Sequence, residues 1–265
     1  MAHFPKGSLH NICVKLLLAS VSAFFSIVSV ADEGPAKPLF TLYQESFPKY
    51  YSTDGGQSYQ GLCIEIIDAL QEEMPGYQLK NKGGAAPIKR VESLLVSGEI
   101  DFFVGMARNA AREEKILYID TPLYSVNHVI ALRRDDRAQL QSFADLAAAG
   151  SILTTKDSGT ARFLEKQKGL DVDDGARTIE ANLKKLVNNR GRVLYFHDIG
   201  LYSAVKQLGY SDSVRIGAHS FKHYQHYLVL RKDLPIAHVD SFIRAVELLK
   251  NSGKLDAISK NYKSQ

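Results

Sequence analysis

Cysteine is nearly absent from this chain: Cys13 and Cys63 are the two thiols in 265 residues, and tryptophan is missing altogether. No charge of one sign dominates, since 33 Lys and Arg face 29 Asp and Glu for a formal +4. A strongly basic nucleic-acid binder is excluded by that balance. The chain also lacks a Gly-rich phosphate loop, a His-Glu-x-x-His and a Gly-x-Ser-x-Gly, and it carries no internal repeat or low-complexity tract. What is present is a 45% apolar composition, enough for a real core, so a wholly disordered or fibrous chain is excluded as well. The length allows one or two domains.

The first 31 residues stand apart. Lys6 and Lys15 precede an uncharged run of 15 residues, Leu16 to Val30, that ends in Ser29-Val30-Ala31. A positive start, a short apolar stretch and small residues at −3 and −1 describe a secretory signal peptide, 1–31. An uncleaved anchor is the alternative, but crossing a bilayer as a helix needs about 20 residues. Cleavage after Ala31 leaves 234 residues with a balance of 31 against 29, or +2, because both removed charges are Lys. Cys13 leaves with the signal, so Cys63 has no partner for an intrachain disulfide. The expectation is an exported, soluble, disulfide-free protein.

The remainder alternates strand and helix patterns. Residues 39–44 read as a strand, and Leu62–Leu70 have the apolar spacing of one helical face, stopped by Met74-Pro75-Gly76. A helix at 91–96 and a strand at 100–104 follow. Strands at 129–132, 152–155, 192–196 and 227–230 are interleaved with helices at 143–149, 160–168, 183–188 and 199–208. Helices at 241–251 and 255–262 close the chain. This rhythm points to an α/β fold around a mostly parallel sheet, in two units of roughly 100 residues each.

Four stretches, in order, resemble the bacterial extracellular solute-binding proteins of family 3, the polar-amino-acid binders of ABC importers. They are Gly61–Leu70; Ser97–Asp101 through Gly105-Met106, Arg112, Tyr118 and Pro122-Leu123-Tyr124; Phe143–Leu146 with Asp157–Thr160 and Gly191–Asp198; and Leu228–Asp233 with Ser252–Leu255 and Asn261-Tyr262. None is specific alone, but their order and spacing over about 225 residues are. The resemblance implies two Rossmann-like lobes joined by two crossing segments, of the periplasmic binding protein type 2 kind. Lobe 1 would be discontinuous, 38–124 plus 228–265, lobe 2 would span 129–222, and the hinges would be 125–128 and 223–227. It further implies a monomer that captures a small zwitterion, a polar amino acid, by hinge closure and presents it to an inner-membrane ABC permease, with no cofactor, metal or nucleic acid.

By the same resemblance, Arg112 stands where the family binds the ligand carboxylate and Asp198 where it binds the ammonium. The chemistry suits them: a guanidinium fork matches two carboxylate oxygens, and a desolvated ammonium needs an opposite charge. Ser158 and Thr160 open a helix, where N–H groups and hydroxyls attract anions. Gly105 and Ala107 lie between the 100–104 strand and Arg112; the family usually has a Ser or Thr hydroxyl at the Ala107 position, so one polar contact is lost or comes from elsewhere, such as Asn109. Phe47, Tyr50 and Tyr51 fall where the family walls the ligand side chain, and Arg90 is a second anion contact. Each has a plainer alternative: a solvated helix start for Arg112, helix caps for Asp198 and Ser158, core packing for the aromatics, a surface charge for Arg90.

The spacing His219-x3-His223-x2-His226 is discounted as a metal site because the segment reads as extended, and Cys63 reads as a packed core thiol. Two rivals stand beside the transport reading. One is a cyclohexadienyl dehydratase-like enzyme, for which Glu180, Glu165 and Asp157 are the available acids and turnover of arogenate or prephenate the mark. The other is a ligand-sensing module that docks a receptor. Export of the full chain should yield a protein whose N-terminal residue is Asp32; mass spectrometry of a periplasmic extract that finds residues 1–31 still attached refutes the signal-peptide assignment.

Overall fold

Helix α1 (Leu62–Glu73) turns apolar spacing directly into packing: Leu62, Cys63, Ile66, Ile67, Ala69 and Leu70 are all buried on one face. Its start is held by the turn before it. The Leu62 and Cys63 N–H groups donate to the carbonyls of Pro48 and Lys49 at 3.1 and 2.9 Å, satisfying two of the helix's orphan donors. Gly61 permits this approach; it has φ +123°, and a Cβ there would lie 2.3 Å from the Pro48 oxygen. The computed structural model describes residues 36–44 and 46–263, so the expected signal peptide, with Cys13, lies outside the described residues.

Ten strands and nine helices are seen among the described residues. Strands β1 (Lys37–Tyr43) and β2 (Tyr77–Ala85) form a parallel pair. The larger sheet runs β3 (Phe102–Ala107), β10 (Lys222–Arg231), β5 (Tyr124–Arg133), β8 (Val193–His197), β6 (Ile152–Thr155), β7 (Val172–Ala176). Strand β4 (Ile116–Tyr118) pairs with β10, and β9 (Val214–Ile216) pairs with β5. Helices α2 (Ile88–Val96), α3 (Ala110–Glu113), α4 (Phe143–Ala148), α5 (Gly159–Leu164), α6 (Ile179–Val187), α7 (Asp198–Gln207), α8 (Ile236–Asn251) and α9 (Lys254–Asn261) complete the order. The sheet is mixed rather than mostly parallel: β5 and β10 are antiparallel to each other, and β8 is antiparallel to β5. Strands β2, β4, β7 and β9 had no clear signal in the sequence, being short or, in β2 and β7, largely polar.

The core falls into parts. One cluster gathers side chains between Leu39 and Val126 and again between Leu228 and Ile258, joined by Ile199. Two smaller clusters use residues between Val129 and Val214. We refer to these as the first and second halves; β5 runs through both, and β10, paired with β5, adds Leu228, Val229 and Leu230 to the first.

Side chains alternate along a strand, and residues paired across strands share a face. The register Ala107↔His226↔Tyr124 and Lys222↔His128↔His197 therefore sets His226, Tyr124, His128 and His197 on one side of the sheet. His223, paired with Asn127, lies on the other. Gly105 belongs to this packing: with φ +92°, its missing Cβ leaves room for the Tyr124 hydroxyl and the Cys63 sulfur, which would otherwise lie 2.6 and 2.8 Å away. We expect Gly105→Ala to destabilise the protein by about 2–3 kcal/mol through overpacking and strain, seen as a drop of roughly 4–12 °C in Tm; a wild-type melting curve would contradict this packing.

Candidate functional site

A cleft of about 1720 Å³ is lined from both halves. Its floor includes His226, Tyr224 and His128 of the central strands, with Phe196 and His197 at the end of β8. One wall comes from the turn at Phe47 and Lys49 and from α2, where Lys89, Glu92, Ser93 and Val96 follow the i, i+3, i+4, i+7 spacing of a single helical face. The opposite wall is the β6–α5 turn, Asp157 to Thr160, with Arg162 and Arg177.

Arg112 lines the first-half wall. Its Nε donates to Glu92 Oε1 at 2.9 Å, Nη2 donates to the same oxygen at 2.5 Å, and Nη1 donates to the Ala107 carbonyl at 2.8 Å. A guanidinium has five N–H donors, so one on each terminal nitrogen remains for a ligand. Asn109 caps the short helix beneath it, its Oδ1 accepting from the Arg112 N–H at 3.1 Å.

Across the cleft, three hydroxyls form a chain: Thr154 Oγ1 to Thr160 Oγ1 at 3.1 Å, and Thr160 Oγ1 to Ser158 Oγ at 2.7 Å. Thr154 is fully buried and does not reach the cleft. Its proton must be used inward, because an unsatisfied buried donor costs about 1–3 kcal/mol. The chain therefore runs from Thr154 to Thr160 to Ser158. Ser158 Oγ also accepts from the Ala161 N–H at 3.0 Å, and its own proton is left for the cleft. Ser158 and Thr160 both line the cleft, and in this arrangement the outward hydroxyl proton is that of Ser158.

The family model described as "Bacterial extracellular solute-binding proteins, family 3" matches residues 41–265. The chain belongs to this family. Among solved structures it is similar to the amino acid ABC transporter substrate-binding protein AbpA from Streptococcus pneumoniae bound to L-arginine, at 19% identity over 86% of this chain and 94% of that one, with a TM-score of 0.64. It is also similar to an ancestral cationic amino acid solute-binding protein, AncCDT-1, at 17% identity over 86% and 96% with a TM-score of 0.69. A second structure of AncCDT-1, described as a precursor of cyclohexadienyl dehydratase, matches at 16% identity over 86% and 95% with a TM-score of 0.64. At such identities the likeness is one of fold, that of type 2 periplasmic binding proteins. No curated protein matches in sequence.

In this family 3 protein the sequence-expected residues are only partly brought together. Arg112, Ser158, Thr160, Ala107 and Phe47 line the cleft. Ala107 offers no side-chain polar contact, and its carbonyl accepts from Arg112 and, at 3.0 Å, from the Tyr118 hydroxyl. Asp198 does not reach the cleft wall. It follows His197, which takes the cleft face, so its carboxylate turns to the far side of the sheet. There it is 3% exposed and accepts from Asn127 Nδ2 at 2.9 Å and from the Ile199 N–H at 2.8 Å, with Lys263 Nζ 3.7 Å away. Gly105 is a packing residue, as above. Tyr50 is buried, its hydroxyl donating to the Val104 carbonyl at 2.6 Å, and Tyr51 packs edge-on to Phe47 outside the cleft. Arg90 is exposed about 100° around α2 from the cleft-facing Lys89. Of the three acids named for the enzyme rival, Asp157 lines the cleft, Glu165 is exposed, and Glu180 pairs with Lys184 at 2.7 Å.

Sequence reasoning missed Lys49, His128 and His197 and weighed His226 only as a metal ligand; all four are on the cleft surface. The strand alternation could have supplied the three histidines once the pairing of β5, β8 and β10 was known. The three histidines weighed as a metal cluster separate: His223 Nδ1 lies 2.9 Å from Asn127 Oδ1, His226 Nδ1 lies 2.9 Å from the Tyr124 hydroxyl, and His219 packs edge-on to Phe221. The Cys63 thiol, 3.4 Å from the Tyr124 hydroxyl, is pushed up to about 11 by burial. A neutral His226 accepts from Tyr124, which in turn accepts from the Cys63 thiol.

Burial holds His128 down at about 4, with Lys222 adding to it, and pushes His197 and His226 well below the ordinary histidine value. An unfolded histidine titrates near 6.5, so acid protonates the unfolded chain first and stability falls as pH drops from about 6.5 to about 4. The His128 share is about 3 kcal/mol at most. We expect His128→Gln to flatten that part of the stability profile measured by urea unfolding; parallel profiles for mutant and wild type would contradict a buried neutral ring.

Proposed function

We propose that this family 3 protein is an exported solute receptor. It captures a small carboxylate-bearing solute between its halves, closes by bending β5 and β10 near 125–128 and 223–227, and delivers the solute to an inner-membrane ABC permease as a periplasmic monomer. The observation that carries this reading is Arg112, with two free N–H donors, and Ser158, with a free hydroxyl proton, lining one cleft from opposite halves. A carboxylate bridging them interacts better with closed halves than with open ones, which is what ligand-driven closure requires. The cleft volume, about 1720 Å³, exceeds the roughly 300–1,000 Å³ of a filled small-molecule site, consistent with room to close. The arginine-bound relative supports a solute of amino-acid size.

The side chains favour binding over covalent chemistry. Among the described residues, the cleft-lining acids are Glu92, engaged by Arg112, and Asp157 on the turn before α5.

A saturating solute, at about 100 times its Kd, stabilises by about 2.7 kcal/mol, a rise of roughly 5–10 °C in Tm for a chain of this size. In a thermal-shift screen against amino acids and organic acids, Arg112→Ala should lose the ligand response while its unliganded Tm stays within about 4 °C of wild type. A mutant that still responds in full would remove the support for this reading.

A further inference from the structure

The cleft is far more basic than the chain that builds it. Six cations line it, Lys49, Lys89, Arg112, Lys115, Arg162 and Arg177, against the two carboxylates of Glu92 and Asp157. Among the described residues, only Arg112 of the six forms an ion pair, with Glu92. The remaining acid is Asp157, and Asp198 faces away into its bonds with Asn127 and Ile199. A zwitterion buried here would set its ammonium among six cations with one unengaged carboxylate, that of the exposed Asp157, an arrangement that desolvation makes costly.

The inner cations converge. Lys49, Arg112, His197 and His226 line the same cavity, and Phe47, on the turn that carries Lys49, packs into the second-half cluster with Phe196, the neighbour of His197. Burial lowers the pKa of Lys49. His197 lines the same cleft. Its Nδ1 accepts from the Gly200 N–H at 2.9 Å, so in the neutral ring the proton sits on Nε2, a donor.

We propose that the solute is a short organic dicarboxylate without an ammonium group, one carboxylate gripped by Arg112 and Ser158 and the other by Lys49 and His197. The proposal rests on the reading of the cleft as a solute-binding site and gives that solute its class. Each carboxylate is then shared between halves, since Arg112 and Lys49 belong to the first and Ser158 and His197 to the second. Both ends of the ligand pull the halves together.

The test is isothermal titration calorimetry of the exported protein with succinate, glutarate, aspartate, glutamate, glutamine, arginine and butyrate. Succinate or glutarate should bind at least about tenfold tighter than aspartate or glutamate, arginine should give no binding heat, and butyrate should bind weakly through one carboxylate. Lys49→Met should weaken the dicarboxylate by about 10–100-fold and butyrate by much less, since butyrate keeps the Arg112 and Ser158 subsite, while Lys49→Arg, which keeps the charge, should retain most of the affinity and guards against a folding defect in the first variant. Tighter binding of arginine, glutamine or the acidic amino acids would overturn the dicarboxylate and leave the solute-receptor reading standing. Full dicarboxylate affinity in Lys49→Met would do the same. Binding of none of the seven would overturn both.

Discussion

The antiparallel pairing of β5 with β10 is the constraint on which the rest of this protein depends. Both strands are ten residues long; β5 contributes to the first and second cores, and β10 packs into the first while its opening residues pair with β5. Their register places His226 opposite Tyr124 and Lys222 opposite His128, and that choice decides which side chains face the cleft. A slip of one residue would exchange the whole set, bringing Asn127 and His223 to the floor and sending Tyr124, His128 and His226 to the back. The proposed closure places its bending in these two strands because they carry the chain from one half to the other and back.

The floor is polar yet internally satisfied. Cys63, Tyr124 and His226 form a buried series of hydrogen bonds that needs all three groups uncharged, and burial keeps the thiol and the imidazole in that state. Gly105 makes the series possible by leaving space for the tyrosine hydroxyl and the sulfur. Above this neutral layer, the charge of the cleft comes from its walls, so its field acts on a solute with little compensation from below.

Local folding and site assembly are also linked at the turn before α1. The carbonyls that cap α1 belong to Pro48 and Lys49, so the contact that starts the helix also carries Lys49 and Phe47 to the cleft edge. Phe47 packs against the second-half core from there, giving the turn a footing on the other side. Similarly, Ser158 caps α5 while its proton faces the cleft.

Much of this was legible in the residue order. The apolar spacing of α1, the start of α5 at Asp157-Ser158-Gly159, the place of Arg112 after β3 and the family itself all follow from local pattern, since helical and strand periods and turn residues act over a few positions. The mixed sheet, the turning away of Asp198 in favour of His197, the burial of Tyr50 and the choice of Lys89 over Arg90 did not. Those were decided by which strands pair and which helical face meets the cleft, long-range matters that no window of neighbouring residues contains. The composition established a nearly neutral chain; only the tertiary structure gathered its cations around one cavity and moved the expected ammonium partner to the far side of the sheet.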